Sequence, residues 1–181
     1  DFGKFSPVRS NYDYYINLYK ERLNENPDDF ETIISLGEIF FDLCVAKEAI
    51  PLFKKAIKLN PKDARAYRYL GLINRDNFCS PKTALEYLKK YTELAPSDAN
   101  GYFYVAICYT RMGKFDRAVE YMKKYIRVSG KKIYGYNWIG YLYDWKGDYQ
   151  KAKRWFKKVL ELDPANEYAT DMLHTIEEEN K

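Results

Sequence analysis

The sequence has very little of the chemistry on which most enzymes depend. It contains one histidine, His174, and three cysteines among 181 residues. It has no phosphate-binding glycine loop, no HExxH zinc motif and no GxSxG nucleophile motif. His174 stands in a polar C-terminal segment, which is typical of a surface residue. We therefore expect no catalytic residue, no metal site and no cofactor.

Long apolar runs are also absent. None approaches the roughly 18 residues that a membrane-spanning helix needs, and the first residues lack the basic-then-apolar order of a signal peptide. Cys44, Cys79 and Cys108 lack metal-ligand spacing, which indicates reduced thiols and favours a cytoplasmic location. Because the chain begins at Asp1 and not at Met, we interpret it as processed or as part of a longer protein.

Tyrosine, in contrast, is abundant, and a repeat organises the sequence. The 181 residues include 19 tyrosines. Similar ten-residue segments recur at spacings of 35, 34 and 34 residues: LFKKAIKLNP (52–61), YLKKYTELAP (87–96), YMKKYIRVSG (121–130) and WFKKVLELDP (155–164). A second, ring-rich segment precedes each of them. A period of about 34 residues with two apolar segments per period predicts a pair of helices in every repeat.

Several positions keep the same kind of residue in all four repeats. The first helix carries a small residue at Gly37, Gly71, Ala106 and Gly140, and the second carries alanine at Ala49, Ala84, Ala118 and Ala152. Small residues at fixed places allow two helices to approach closely. Three of the four second segments end in proline, which stops a helix, and Asp63 and Asp98 follow as N-cap residues.

These residues resemble the tetratricopeptide repeat, whose signature has a ring, a Leu-Gly pair and a Tyr on the first helix, then Ala, an aromatic and Pro on the second. The resemblance implies an all-α fold, a right-handed α-α superhelix or solenoid of about four helix-turn-helix repeats with flanking helices. The N-terminal part (1–29) is predicted to be an extended segment followed by a partial-repeat or capping helix. Four repeats follow over 30–164, with the repeat bounds 30–63, 64–98, 99–132 and 133–166. The C-terminal part (165–181) is predicted to be a capping helix.

The resemblance also implies a function as a protein–protein interaction module or adaptor. In this family the first helices line a concave groove, so Tyr136 and Tyr143 are expected in the core and the opposite rings in the groove. The groove would present arginine in its middle and rings beyond it, which favours an acidic-hydrophobic peptide segment. The predicted groove residues are Arg65, Arg68, Arg75, Phe103, Tyr104, Arg111, Tyr134, Trp138, Tyr141 and Trp145.

Other interpretations remain open. Some rings, notably Tyr69, Tyr104 and Trp138, could instead pack one repeat against the next. The family's clamp for chaperone C-termini is not favoured, since Ile34 and Glu38 stand where that clamp has Lys and Asn. A self-assembling structural scaffold and a nucleic-acid-binding array are alternative functions.

The charge balance does not favour nucleic-acid or membrane partners, whereas a homo-oligomer remains open. The net charge of +4 comes from 30 basic and 26 acidic residues. A lysine pair recurs on the second helix of each repeat, and we interpret these pairs as part of a solvated face. The pairs are Lys54-Lys55, Lys89-Lys90, Lys123-Lys124 and Lys157-Lys158.

Overall fold

A computed structural model describes residues 7–76 and 80–178, with side chains from residue 11 onward. Within these ranges the chain forms ten α-helices and no β-strand. The helices are α1 (Pro7–Glu25), α2 (Phe30–Asp42), α3 (Ala46–Leu59), α4 (Ala64–Asp76), α5 (Pro81–Leu94), α6 (Ala99–Arg111), α7 (Phe115–Ser129), α8 (Lys132–Trp145), α9 (Tyr149–Leu162) and α10 (Glu167–Glu178). Three sequence-based expectations lie outside the described residues: the extended start (1–6), the Cys79 thiol and the last residues (179–181) of the predicted capping helix.

Short polar turns set where the first helices begin. The Asp98 carboxylate accepts a hydrogen bond from the Asn100 amide at 2.9 Å and caps α6. The Asp63 carboxylate accepts one from the Arg65 amide at 2.8 Å, just before α4. Both aspartates satisfy amide groups that a helix start leaves without partners, as the sequence predicts.

The chain forms two compact units, of which the first ends at Leu94 and contains α1 to α5. In it, α2 packs against α3, and α4 against α5. The core is built from fully buried apolar side chains, among them Ile33, Phe53, Leu70 and Leu88. The predicted scaffold alanines Ala49 and Ala84 are also fully buried.

The second unit begins at Ala95 and contains α6 to α10. Each of these helices packs against the next along the chain. The core of its last part contains Phe156, Val159 and Ile176, and Tyr136 and Tyr143 pack on its margin while staying partly buried. The expectation that these two tyrosines face the core is therefore confirmed.

The repeated ring on the first helix has a polar function as well as a packing one. The Tyr67 hydroxyl donates a hydrogen bond to the Pro61 carbonyl at 3.3 Å, and the Tyr102 hydroxyl donates one to the Pro96 carbonyl at 3.1 Å. Each tyrosine thus ties its helix to the turn that precedes it. Both rings are partly buried, and each hydroxyl has a hydrogen-bond partner at the protein surface.

Candidate functional site

Six of the predicted groove residues lie close together in the second unit, and we call them the ring surface. Neighbouring rings follow one another along α6 and α8. Phe103 lies 5.3 Å from Trp138 between ring centroids, Trp138 lies 5.8 Å from Tyr141, and Tyr141 lies 5.1 Å from Trp145. The ring surface consists of Phe103, Tyr104, Tyr134, Trp138, Tyr141 and Trp145.

The ring surface is not simply core. Tyr134 is 45% exposed and Trp145 is 58% exposed, so both offer ring faces to solvent. Phe103, Trp138 and Tyr141 are partly buried. Phe103 and Trp138 pack against Tyr134, and Tyr141 packs against Trp145. Tyr69 of the first unit behaves differently, because its ring stacks on buried Phe53 at 4.8 Å. The packing interpretation therefore holds for Tyr69.

Tyr134 lines two cavities that adjoin other ring-surface residues. The first has a volume of about 370 Å³ and lies between α8 and α10. Its lining is Tyr134, Asn137, Trp138, Tyr141 and Tyr168. The second has a volume of about 300 Å³ and is lined by Asn100, Phe103, Tyr104, Tyr125, Lys131 and Tyr134. Both volumes are at the small end of the range of ligand pockets.

Asn137 gives the first cavity an unusual polar feature. Its Oδ1 atom is buried and has no hydrogen-bond partner among the described residues. A buried acceptor without a donor costs on the order of 1–3 kcal/mol, so proteins usually avoid it. Four aromatic residues share the cavity lining with Asn137. The cavity is therefore largely aromatic, and one of its lining residues has a buried acceptor without a partner among the described residues.

Five residues that line these cavities were not among the predicted groove residues: Asn100, Tyr125, Lys131, Asn137 and Tyr168. Tyr168 was assigned to the capping helix, yet it is 47% exposed and closes the first cavity. Tyr125 and Lys131 line the second cavity. Tyr125 lies on α7, and Lys131 lies in the turn before α8. The sequence did hold a signal for Tyr125, since a bulky tyrosine stands where the repeat signature has a small alanine.

The predicted arginines Arg65, Arg68 and Arg75 lie in the first unit, and two of them already pair with carboxylates of the same chain. Arg65 donates two hydrogen bonds to Glu31, at 2.8 and 2.7 Å, and also donates to Asp63. Arg75 donates two hydrogen bonds to Asp76, both at 2.6 Å. These side chains are thus held by internal ion pairs, which the residue pattern did not indicate.

The Arg65 pairing changes the acidity of its partners. Its hydrogen bonds lower the pKa of Glu31 and raise the pKa of Arg65 itself. Burial raises the pKa of Asp63, but hydrogen bonds from the Arg65 side chain and backbone outweigh burial, and the net pKa is lowered. All three groups therefore stay charged near neutral pH. The positive charge of Arg65 is balanced by the carboxylates of Glu31 and Asp63.

Arg68 differs from the other two arginines. Its guanidinium lies over the Tyr69 ring, 4.6 Å from the centroid, and donates a hydrogen bond to the Tyr69 hydroxyl at 2.7 Å. Its Nε atom is buried and has no hydrogen-bond partner among the described residues. The fourth predicted arginine, Arg111, is the exposed last residue of α6 in the second unit.

The remaining chemical side chains do not form a site. His174 is exposed and lies 3.6 Å from Glu178, as expected of a surface residue. Over residues 7–76 and 80–178, no group of histidine, cysteine and carboxylate side chains could hold a metal ion. In the same part of the chain, no helix has the length and apolar character required to cross a membrane.

Comparison with known proteins agrees with the repeat pattern. Models of the tetratricopeptide repeat match residues 46–77, 101–128 and 133–166. A solved structure of MamA is 31% identical, covers 86% of this chain and 84% of that chain, and superposes with a TM-score of 0.78. A search of curated proteins found no significant match.

More distant structures share the fold. MamA from Desulfovibrio magneticus RS-1 is 24% identical, with 88% and 90% of the two chains covered and a TM-score of 0.76. YrrB, described as a TPR protein with an unusual peptide-binding site, is 20% identical, with 91% and 84% covered and a TM-score of 0.76. The predicted fold class, an all-α solenoid of helix-turn-helix repeats, is confirmed. The chain belongs to the tetratricopeptide repeat family.

Proposed function

We propose that this protein–protein interaction module binds an acidic-hydrophobic segment of a partner protein on the ring surface and performs no catalysis itself. The observation that carries the proposal is a cavity of about 370 Å³ lined by four aromatic residues and Asn137, whose buried Oδ1 atom has no hydrogen-bond partner among the described residues. A peptide backbone has a donor at almost every residue. One such N–H group would satisfy Asn137 while a neighbouring side chain fills the cavity.

The hydrophobic half of the preference is based on the rings. Tyr134, Trp145 and Tyr168 are each more than two-fifths exposed, although they are large and partly apolar. Covering them with an apolar side chain would bury much surface at little cost in rotamer freedom, since a tyrosine has only two χ angles. Tyrosine and tryptophan are also the residue types that dominate binding hot spots.

The acidic half is based on charge next to the rings. Lys131 is an exposed residue in the lining of the second cavity, which shares Tyr134 with the first. A carboxylate placed there would meet an ammonium group and the Asn100 side chain.

Titration calorimetry with a capped peptide tests the proposal. The probe is acetyl-Glu-Glu-Leu-Phe-Leu-amide, compared with the same peptide in which glutamine replaces both glutamates. We expect Trp138→Ala to weaken binding by about 2 kcal/mol, as truncation of a central ring usually does. We expect Lys131→Glu to weaken binding of the acidic peptide and to spare the glutamine peptide.

Matched variants serve as controls. Tyr14→Ala removes an exposed ring of the first unit, and Lys157→Glu reverses an exposed charge on α9. Neither should change the affinity by more than about 0.5 kcal/mol. Equal losses in the controls and in the ring-surface variants would contradict the proposal. Sedimentation of the free chain separates it from self-assembly, since a chain that associates through the ring surface would lose that association in Trp138→Ala.

A further inference from the structure

The first unit contains a second kind of cavity, between α1 and α2. Its volume is about 390 Å³. One wall comes from α1, where Tyr12, Tyr15 and Tyr19 stand at spacings of three and four residues and so share a face. The other wall comes from α2 and includes Glu38 and Asp42. We call this the tyrosine cavity. It lies entirely within the first unit and uses none of the ring-surface residues.

The tyrosine cavity combines two features that attract the same chemical group. The face of an aromatic ring carries negative electrostatic potential and attracts cations. A carboxylate attracts the same cations by charge. The rings also present apolar surface, which suits the methylene stem of a lysine or arginine side chain. A neutral apolar side chain would offer no charge to Asp42.

Asp42 is the carboxylate in this cavity whose charge a bound cation would balance. It is exposed and makes no hydrogen bond or ion pair with any described residue. Glu38 is different, because it accepts a hydrogen bond from Tyr69 and lies near the Arg68 guanidinium of α4. The negative charge in the cavity that is not balanced within the described chain is therefore concentrated at Asp42.

The chain itself shows that a guanidinium can lie on one of these rings. The Arg22 guanidinium lies over the Tyr19 ring, 5.8 Å from its centroid. Arg22 is not part of the cavity lining, so it covers Tyr19 without filling the cavity. Tyr15, whose ring lies 6.1 Å from that of Tyr19, is 40% exposed and makes no cation contact within the described residues.

We propose that the tyrosine cavity binds an arginine side chain of a partner protein, with the guanidinium against the tyrosine rings and paired with Asp42. A planar guanidinium suits both halves of the cavity, since it stacks on rings and donates two parallel hydrogen bonds to a carboxylate. This site is independent of the ring surface. It has the opposite charge preference and would hold a different part of a partner.

Two capped peptides test this inference by NMR titration of the full chain. The probe is acetyl-Gly-Leu-Arg-Leu-Gly-amide, and its comparison replaces arginine by citrulline, which has the same shape and no charge. We expect the arginine peptide to shift the amide signals of α1 and α2 and to bind at least about five-fold more tightly than the citrulline peptide. Equal binding of both peptides, no binding, or shifts confined to other helices would overturn the inference.

Two pairs of variants locate the site. Asp42→Lys should weaken binding of the arginine peptide about ten-fold, and a basic residue at the C-terminal end of α2 is compatible with the helix dipole. Glu25→Lys, which makes the same charge change at the end of α1 outside the cavity lining, should change it less than two-fold. Tyr15→Leu should weaken binding about three-fold, whereas Tyr14→Leu should not.

The outcomes separate this site from the ring surface and from self-association. Trp138→Ala should leave the arginine peptide unaffected, so failure of either site does not decide the other. Sedimentation of the free chain and of the chain with arginine peptide excludes a second copy as the occupant. If the free chain associates and the peptide dissociates it, the cavity serves self-association and the inference is wrong.

Discussion

Gly140 of α8 and Phe156 of α9 approach each other so closely that the glycine has no room for a side chain. A Cβ atom built on Gly140 would lie 2.7 Å from the Phe156 Cε1 atom, a distance that real Cβ atoms essentially never show. Phe156 is fully buried within its core cluster, so its ring has little room to move away. In the third repeat the sequence instead carries Ala106 and Met122 at the corresponding positions. The small residue and the ring are therefore a matched pair.

Replacement of Gly140 by alanine should destabilise the second unit. We expect a loss of about 1–2 kcal/mol in the free energy of unfolding, because overpacking outweighs the better helix propensity of alanine. Urea denaturation followed by circular dichroism measures it. The double variant Gly140→Ala/Phe156→Met transplants the pair of the third repeat and should recover most of the loss. Additive losses in the double variant would contradict the matched-pair explanation.

Cys44 occupies a turn position that favours glycine. Its φ is 58°, in the left-handed region, and the corresponding turns of the third and fourth repeats have Gly113 at 69° and Gly147 at 80°. We expect Cys44→Gly to stabilise the first unit by up to about 1 kcal/mol, since relief of backbone strain exceeds the entropy cost of glycine. Thermal unfolding in reducing buffer checks this.

Gly113→Ala provides the opposite control for the turn. A Cβ at Gly113 meets no atom within 4 Å, so the expected loss of about 1 kcal/mol would come from the backbone conformation alone. If Cys44→Gly destabilises the chain while Gly113→Ala does so too, the cysteine side chain must contribute packing that exceeds its strain.

The Arg65 ion pairs should make stability depend on acidic pH. The folded-state pKa values of Glu31 and Asp63 are lowered from 4.5 and 3.8. A lowered carboxyl pKa contributes stability that is present above the unfolded-state value and is lost as the pH falls through the folded-state value. The difference in unfolding free energy between the native chain and Arg65→Gln should therefore be largest near neutral pH and shrink below about pH 4.5.

A second arginine variant controls for the loss of a positive charge. Arg127 is exposed on α7, and Arg127→Gln should leave the pH dependence of unfolding unchanged. Direct NMR titration of the Glu31 and Asp63 carboxyl groups should give midpoints below their ordinary values in the native chain and higher midpoints in Arg65→Gln. Unchanged midpoints in the variant would show that Arg65 does not control these groups.

Lys131 and Trp145 should affect binding of the acidic peptide in different ways. Trp145→Ala removes an exposed ring and should weaken binding while its salt dependence is kept. Lys131→Gln removes an exposed charge from the lining of the second cavity and should weaken binding and reduce its salt dependence. Calorimetry at two salt concentrations distinguishes them. A Lys131→Gln variant with native affinity and native salt dependence would show that Lys131 does not bind the acidic part.

The scaffold could be predicted from the sequence because it depends on local, repeated constraints. Glycine or alanine recurs wherever two helices must approach, and proline and aspartate mark the turns, so periodicity alone located the helices. The ring surface followed from the same reasoning, since a ring outside the scaffold positions must contact another helix, solvent or a ligand. In that sense Trp138 and Tyr141 were accessible to sequence reasoning.

The detailed chemistry of the sites was not accessible in this way, because it depends on contacts between residues far apart in the chain. Arg65 pairs with Glu31, 34 residues earlier, and no spacing within one helix indicates that partner. Tyr168 closes the first cavity of the ring surface from α10, although its own segment is largely polar. Which side chain satisfies which neighbour is decided by tertiary packing, on which a repeat signature is silent.

Asn137 should link stability and binding with opposite signs. Its buried Oδ1 atom has no donor among the residues that the structure describes, and a buried acceptor without a donor costs the folded state free energy. Leucine has nearly the same shape and no polar atom. We therefore expect Asn137→Leu to increase the free energy of unfolding by about 1 kcal/mol, measured by urea denaturation, while it weakens binding of the acidic peptide by about 1–2 kcal/mol.

The contrast with Asn100 makes this last prediction specific. Asn100 is exposed and lines the second cavity, and Asn100→Leu should give no gain in stability, because its side chain is already solvated. A stabilised Asn137→Leu chain that binds the peptide as well as the native chain would show that Oδ1 is a structural defect without a function. A destabilised variant would show that Asn137 has a partner in solution, such as a bound water. If Oδ1 accepts a hydrogen bond from a partner's backbone N–H group, Asn137→Leu should both stabilise the free chain and weaken binding. The reason is that the unfavourable free energy of the buried acceptor is then offset by a hydrogen bond only in the complex.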